Sequence, residues 1–272
     1  MRNKMESKIY VITHKKIELS DSLKAKGYEL LSVGGPKGND GVCDNSGDNI
    51  SSKNANYCEL TGAYWIWKNM DNEIKGFCHY RRFFTKKTLK YNENKVLSAK
   101  EICNILKAKP DVVIMPERKY YNISATELYL RCGYQKDLDT TREVIFEKYP
   151  EYVKTYDKLM KCNYGYITNM MIAKKELYDA YHAWLFDILF EVEKRTDISN
   201  YTKAEARIYG YISERLLGVW LIQNNIETVE FQSINTEDSS MRYVLYRLFV
   251  KLNIYKCVKN LAWKINISKK KH

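Results

Sequence analysis

The sequence predicts an α/β fold in which helices flank a mainly parallel central sheet. Three observations indicate this fold: short β-branched runs recur along the chain, helical patterns separate them, and the alternation extends over roughly 230 residues. Strands that are joined through a helix run parallel, because the crossover returns the chain to the same end of the sheet. The 272 residues are 45% hydrophobic and 29% charged, which is a globular composition.

The elements follow one another in a regular order. Stretches with the β-branched and aromatic content of strands lie at 9–13, 28–33, 74–78, 111–115, 166–173 and 228–231. Helical patterns lie between the first two strands, at about 52–69, 98–107, 175–195 and 205–223, and on either side of Pro150. Ser98 with Glu101, and Ser124 with Glu127, have the spacing of capping boxes, which predicts that helices begin there. In such sheets ligands bind beyond the carboxyl ends of the strands, so residues that follow a strand are the first candidates for chemistry.

The first candidate segment is 48–69, where a polar stretch leads into an aromatic helix. On a helix, Glu59 shares a face with Leu60 and Ala63, so its carboxylate needs a partner when that face is buried. One interpretation is a structural Glu paired with a neighbouring Arg. The other is a helix start whose free N–H groups, together with Lys53, hold an anionic ligand.

The second segment is His79-Tyr80-Arg81-Arg82, which leaves the end of a predicted strand. A guanidinium group offers a planar fork of donors that matches phosphate oxygens, and two such groups can offset a diphosphate without a metal. The alternative is that strand alternation sends Arg81 and Arg82 to opposite faces, where one of them is merely solvated. His79 taken alone is more typical of a structural or surface histidine than of a base.

Two further segments place polar groups among apolar ones. Thr168 and Asn169 interrupt an apolar strand pattern, and Asn169 either closes a turn or contacts a sugar. Glu214 lies on a half-buried helix face two turns from Arg207. Burial raises the pKa of a carboxyl and suits it to general-base catalysis, whereas an arginine lowers that pKa, so a structural Arg–Glu pair is the competing interpretation.

Several familiar site motifs are missing from the sequence: the dinucleotide-binding glycine pattern, the Walker loop, the hydrolase nucleophile elbow and the His-Glu-x-x-His zinc motif. The acidic doublet Asp137-Leu138-Asp139 follows a polar stretch and not an apolar strand. We interpret it as a helix cap region, so no metal ligands are assigned.

The basic charge is concentrated in the C-terminal tail. Of 45 basic residues nine lie at 240–272 with no acidic residue, so residues 1–239 carry 36 basic against 33 acidic groups. This near balance argues against a nucleic-acid partner. In the tail, apolar positions recur with helical spacing among Lys and Arg, which predicts a basic amphipathic helix on an anionic membrane surface. The alternative is a helix docked on the preceding domain. We divide the chain into a domain at 1–239 and a tail at 240–272.

Cysteine usage and hydropathy indicate the compartment. The seven cysteines are scattered and form no Cys-x-x-Cys pair, so neither a disulfide framework nor a zinc ribbon is predicted. The apolar run at 9–12 is too short for a signal peptide, and no apolar stretch reaches the length of about 18 residues that a membrane span needs. We expect a cytoplasmic protein, peripheral on the inner face of the plasma membrane.

The segments together resemble a known family. The stretches that carry the resemblance are Asp-Asn-Ile-Ser-x-Lys-Asn at 48–54, Tyr-x-Glu-Leu-Thr with Tyr-Trp-x-Trp-Lys-Asn at 57–69, Gly-x-x-His-Tyr-Arg-Arg at 76–82, Asn169, and Arg-x-x-Gly-Tyr-x-Ser-Glu-Arg-Leu at 207–216. They are similar to bacterial capsular-polysaccharide and O-antigen glycosyltransferases that were long classed as a domain of unknown function, some of which are galactofuranosyltransferases. The resemblance covers about residues 8–235.

The resemblance implies a GT-A-like domain that binds a nucleotide-sugar donor at the carboxyl ends of its strands. Many GT-A enzymes hold a divalent metal with an Asp-x-Asp after a strand. Here the residues from His79 to Arg82 follow the strand in place of an Asp-x-Asp. The resemblance therefore does not decide whether Mg²⁺ or Mn²⁺ is a cofactor. The implied acceptor is a growing, lipid-linked capsular or O-antigen glycan.

The function expected from the sequence is transfer of a hexose from a nucleotide-diphosphate donor, with inversion as the working hypothesis. The catalytic candidates are Glu214 as the base, followed by Glu59 and His79. The donor-binding candidates are Asp48, Asn49, Lys53, Asn54, Tyr57, Tyr80, Arg81, Arg82, Asn169, Arg207 and Arg215. The alternative is a non-catalytic subunit of a polysaccharide assembly complex that binds carbohydrate through its 23 tyrosines and five tryptophans.

Overall fold

The structure, a computed structural model, describes residues 8–237. The predicted tail helix, and with it the domain boundary at 239, lie outside the described residues.

Within this range the chain alternates between strands and helices. The strands are β1 (Ile9–Thr13), β2 (Tyr28–Ser32), β3 (Val42–Cys43), β4 (Ile74–His79), β5 (Arg82–Thr85), β6 (Val112–Pro116), β7 (Lys119–Tyr120), β8 (Tyr164–Gly165), β9 (Met171–Lys174) and β10 (Glu227–Asn235). The α-helices are α1 (Asp21–Ala25), α2 (Asn54–Tyr57), α3 (Leu60–Asn69), α4 (Ala99–Ala108), α5 (Ala125–Tyr129), α6 (Gln135–Lys148), α7 (Val153–Lys161), α8 (Lys175–Arg195) and α9 (Ile208–Gln223). The α/β class predicted from the sequence is confirmed.

Most of the strands form one large sheet. From its β3 edge, β2, β1 and β4 follow in parallel. The first part of β4 then pairs with β9, β9 pairs with β6, and β6 pairs with β10, whose far end pairs with β5. β7 and β8 form a separate two-stranded sheet. The last residue of β4 lies opposite the first residue of β5, so the two strands form a hairpin at one end of the sheet.

The expectation of a mainly parallel sheet is wrong. Among the described pairings of the large sheet, four are parallel and four antiparallel. Strands β5 and β9 take part in all four antiparallel pairings. β5 follows β4 after the two turn residues Tyr80 and Arg81, and so short a turn can join only antiparallel strands. β9 comes after three helices and the short β8, and it enters the sheet antiparallel to both β4 and β6.

The sheet is covered on both faces, which gives three layers. Alternate residues of β6 divide between two cores: Val113 and Met115 pack with the aromatic side chains of α3, α8 and α9, whereas Val112 and Ile114 pack with α1 and α4. Burial on both faces explains why β6 reads as a continuous apolar run. The predicted helix at 175–195 and both capping boxes are confirmed.

The helix predicted at 52–69 is broken in the structure. A 3₁₀ turn (Ser51–Lys53) and α2 precede a kink at Cys58, whose φ of 53° is left-handed. α3 then begins after Glu59, whose carbonyl accepts the N–H groups of Gly62 and Ala63. Glu59 therefore lies at a helix start, and the expectation that it sits within a continuous helix is wrong.

The strand predicted at 166–173 is shorter than expected. β9 begins only at Met171, and residues 166–170 have no regular structure. Asn169, which lies in this irregular stretch, is buried and makes side-chain hydrogen bonds to α9 and to Glu59. Thr168 and Asn169, the polar pair that interrupts the apolar pattern, thus lie just before the point where the chain enters the sheet.

We expect Gly76→Ala to destabilise the sheet. In β4 a Cβ at this position would lie 2.6 Å from the Cα of Ile172 and from the carbonyl oxygen of Met171, both in the backbone of β9. Overpacking against backbone costs about 1–3 kcal/mol, which urea unfolding would measure. Gly165→Ala is the matched control, because a Cβ there meets no atom within 4 Å. Equal losses of unfolding free energy in the two variants would contradict this explanation.

Candidate active site

A cavity of about 680 Å³ opens at the carboxyl ends of β1 and β4. Eight of the fourteen site residues predicted from the sequence line it, namely Asn54, Glu59, His79, Tyr80, Arg81, Arg82, Arg207 and Glu214. They come from four separate parts of the chain: the α2–α3 kink, the β4–β5 hairpin, the turn before α9, and α9 itself. The remaining six predicted residues are not part of the lining.

The β4–β5 hairpin puts a histidine and an arginine side by side. His79 and Arg82 are directly opposite each other in the register, and residues opposite each other in an antiparallel pair project from the same face. Strand alternation does not send Arg81 and Arg82 to opposite faces, because Arg81 is a turn residue. Both arginines line the cavity. Arg81 also pairs with Glu237 at 2.9 Å, whereas Arg82 forms no ion pair within residues 8–237.

The ring of Tyr80 organises the cations at the end of β1. Lys15 Nζ lies 5.7 Å from the centre of this ring and the guanidinium carbon of Arg81 lies 5.1 Å from it, while the ring of His14 makes an edge contact. The backbone N–H of Tyr80 donates to the carbonyl of Ile12, which ties the hairpin to β1. The aromatic face can hold both cations in place near one another.

The cavity carries an excess of positive charge. The basic side chains of its lining are Lys15, Arg81, Arg82, Lys203 and Arg207, and the carboxylates of the lining are Glu59 and Glu214. A concave surface with this charge attracts anions. A phosphate-bearing ligand therefore fits the site better than a neutral or cationic one.

Glu59 is held by neighbours behind the lining. The side-chain amide of Asn169 donates to Glu59 Oε1 at 2.7 Å and to the carbonyl of Gly210 at 3.2 Å, and its oxygen accepts the hydroxyl of Ser213. His79 Nε2 lies 3.9 Å from the same Glu59 oxygen. Asn169 therefore supports the cavity from behind without lining it.

Glu214 is a cavity carboxyl with a raised pKa. Burial raises the pKa of Glu214 to about 8, and the negative charge of Glu59 acts in the same direction, against the opposing effect of Arg215. Arg215 is itself buried and donates to Glu214 Oε2 and to the carbonyl of Tyr211, both at 2.8 Å. Arg215 thus fixes the orientation of Glu214, and it is not part of the cavity lining.

Two other lining groups are uncharged. Burial lowers the pKa of His79; the charge of Glu59 opposes this effect, whereas Arg82 and Arg81 add to it, so the net pKa lies below its usual value and the imidazole is neutral at pH 7. Burial raises the pKa of Cys58 to about 11, which keeps it a thiol although Arg207 donates to its sulfur at 3.1 Å. Cys58 is therefore not an activated nucleophile.

The other predicted donor-binding residues have structural partners elsewhere. Lys53 Nζ lies 2.7 Å from both carboxylate oxygens of Glu193, and the fully buried Tyr57 also donates to Glu193. The hydroxyl of Tyr64 donates to Asp48. Asn49 bonds within its own turn, where it donates to the carbonyl of Gly47. Asn54 does line the cavity, and its amide also donates to the carbonyl of Cys58, which stabilises the kink.

The sequence analysis did not assign a site role to several lining residues. His14 and Lys15 directly follow β1, and the rule that ligands bind after strands would have found them. Thr168 and Lys203 lie on irregular segments. The interrupted apolar pattern marks Thr168 as a polar group that needs a partner, whereas no local pattern indicates Lys203.

Metal ligands do not gather at this cavity. Within residues 8–237 no group of three or more His, Cys, Asp or Glu side chains is arranged to hold a metal ion.

Comparison with known proteins yields a family and a solved structure. The family model described as domain of unknown function DUF4422 matches residues 8–225. The apo structure of WbbM, a bifunctional glycosyltransferase, is 26% identical to the chain and superimposes with a TM-score of 0.71. The match covers 86% of this chain but only 46% of WbbM, so the chain spans less than half of that protein's length. No curated protein matches the sequence.

These comparisons confirm the resemblance to a glycosyltransferase-related family that was classed as a domain of unknown function. They also confirm that the mixed α/β fold is similar to that of a glycosyltransferase.

Proposed function

We propose that this chain, which belongs to the DUF4422 family, is a glycosyltransferase that moves a sugar from a nucleotide-diphosphate donor to a hydroxyl of a glycan acceptor. One observation carries the proposal: a single cavity combines five basic side chains with a carboxyl whose pKa is raised to about 8. Sugar transfer needs both features. The cations stabilise the departing diphosphate, and the carboxylate accepts the proton of the attacking hydroxyl.

The bond changes involve two parts of the cavity. The acceptor oxygen forms a bond to the anomeric carbon of the donor sugar while the bond from that carbon to the phosphate oxygen breaks. The electron pair leaves with the diphosphate, and the guanidinium groups of Arg82 and Arg81 stabilise the charge that develops there. The proton of the acceptor hydroxyl moves to the Glu214 carboxylate. Attack opposite the leaving group, with one base and no covalent intermediate, inverts the anomeric carbon.

Arg82 is the leading diphosphate contact. Its guanidinium lines the cavity without an ion pair in the described range, whereas the charge of Arg81 is partly offset by its pair with Glu237. Arg207, Lys15 and Lys203 add to the positive field. His79 and Glu59 contact the bound sugar or support Glu214.

The acceptor and location are finer parts of the proposal. We propose a growing, lipid-linked capsular or O-antigen glycan as acceptor, and galactofuranose or another hexose as the transferred sugar, on the ground of the resemblance. Residues 240–272 include nine basic residues and no acidic residue, which supports attachment to an anionic membrane surface on the cytoplasmic face. No helix of residues 8–237 is long and apolar enough to cross a membrane.

We expect Arg82→Ala to lower kcat/KM by roughly 10²–10³-fold, since removal of one group that stabilises transition-state charge has an effect of this size. The measurement is release of nucleoside diphosphate from a panel of UDP-, GDP- and dTDP-hexoses with a membrane-extracted glycan acceptor, with and without chelator. Arg131→Ala, which removes an exposed arginine outside the cavity, is the control and should leave the rate unchanged.

Full activity of Arg82→Ala would remove the proposed role of the hairpin. Absence of diphosphate release from every donor would favour the non-catalytic carbohydrate-binding alternative.

We expect kcat/KM of the wild type to rise as the pH increases through about 8, because only deprotonated Glu214 can accept a proton. Glu214→Gln should lose this rise together with roughly 10²–10⁴-fold of the rate. The measurement is a pH–rate profile from pH 6 to 10. Glu73→Gln, at an exposed position outside the cavity, should keep the wild-type profile. A Glu214→Gln profile that parallels the wild type would exclude Glu214 as the base.

A further inference from the structure

Two buried polar atoms of the cavity residues have no hydrogen-bond partner. They are His79 Nε2 and Thr168 Oγ1, and neither has a partner among the described residues. A buried polar group that lacks a partner is costly, and native proteins satisfy nearly all such groups. Two of them in the lining of one cavity indicate that a ligand supplies the missing bonds.

The two atoms belong to side chains that line the same cavity. His79 Nε2 lies 3.9 Å from Glu59 Oε1. The same oxygen accepts a hydrogen bond from Asn169, the chain neighbour of Thr168, at 2.7 Å. Asn169 anchors this stretch through its bonds to Glu59 and to Gly210. The backbone is therefore held in place on the C-terminal side of Thr168.

The chemistry of this corner fits a hydroxyl better than a phosphate. His79 is neutral and Thr168 is uncharged, while the carboxylate of Glu59 lies 3.9 Å from His79 and Glu214 is in the same lining. The Glu59 carboxylate repels phosphate oxygens, whereas a sugar hydroxyl can donate to one neighbour and accept from another. Arg82 lies opposite His79 in the hairpin and belongs to the basic part of the lining, so the two parts of the cavity adjoin there. A sugar linked to a diphosphate can occupy both parts at once.

We propose that Thr168 is a specificity-determining residue, whose hydroxyl, together with His79 Nε2, binds a hydroxyl of the sugar carried by the donor. This inference rests on the proposed function and adds the part of the cavity that recognises the sugar. A site built to bond a hydroxyl discriminates strongly against a ligand that lacks it, because its own polar groups are then left unpaired.

The test is binding of UDP, UDP-glucose, UDP-galactose and UDP-galactofuranose to the full chain by calorimetry. Thr168→Val keeps the shape of the side chain and removes its hydroxyl. We expect this variant to bind UDP as the wild type does and to bind the preferred UDP-sugar roughly 5- to 150-fold more weakly. The single-deoxy analogue that lacks the recognised hydroxyl should bind the wild type and the variant equally.

Ser233→Ala is the matched control. Ser233 Oγ is also buried and has no hydrogen-bond partner within residues 8–237, but Ser233 is not part of the cavity lining, so removal of its hydroxyl should leave the affinities for all four ligands unchanged. The control separates the loss of a hydroxyl that contacts the ligand from the general effect of removing a buried hydroxyl.

Two results would overturn the assignment: unchanged affinities for all three UDP-sugars in Thr168→Val, or an equal loss for UDP and the UDP-sugars. Failure of the proposed function looks different. A UDP-sugar that binds in a Thr168-dependent way but is never transferred would support the sugar contact and refute the transferase.

Discussion

The β4–β5 hairpin is the constraint on which the site depends. Its two-residue turn places His79 and Arg82 on one face, and the bond from Tyr80 to Ile12 fixes the turn beside the end of β1. A neutral imidazole and a guanidinium thereby share one wall of the cavity. A connection through a helix would have carried the chain away from this end of the sheet, and the second arginine would not lie beside the histidine.

Burial and charge assign different tasks to the two carboxylates of the cavity. Asn169 donates a hydrogen bond to Glu59 from behind the lining. Glu214 is buried next to that charge, and its pKa rises to about 8 although Arg215 bonds to it directly. Two acidic groups in one site with different environments are the usual basis for separating a base from a supporting group. Both depend on partners that do not line the cavity.

Local patterns predicted the elements well and their contacts less well. The α8 stripe and the capping boxes depend on neighbours within a few residues, and the structure confirms them. The kink at Cys58 depends on a left-handed φ. The sequence does not predict it, because the residue there is neither Gly nor Asn, the residue types that usually adopt such a φ. The position of Lys53 at a predicted helix start indicates an anion contact, but its partner in the structure is Glu193, which lies far along the chain where no local pattern connects the two. Thr168 and Lys203 reach the cavity only through tertiary contacts, which a local pattern does not encode.

The central claim is that the basic wall of this cavity binds the diphosphate of a nucleotide. The most direct measurement is a crystal structure of the protein with UDP. We expect the diphosphate oxygens to lie within hydrogen-bonding distance of the Arg82 guanidinium, at the carboxyl ends of β1 and β4. A well-ordered UDP bound elsewhere, with Arg82 facing solvent, would contradict the claim.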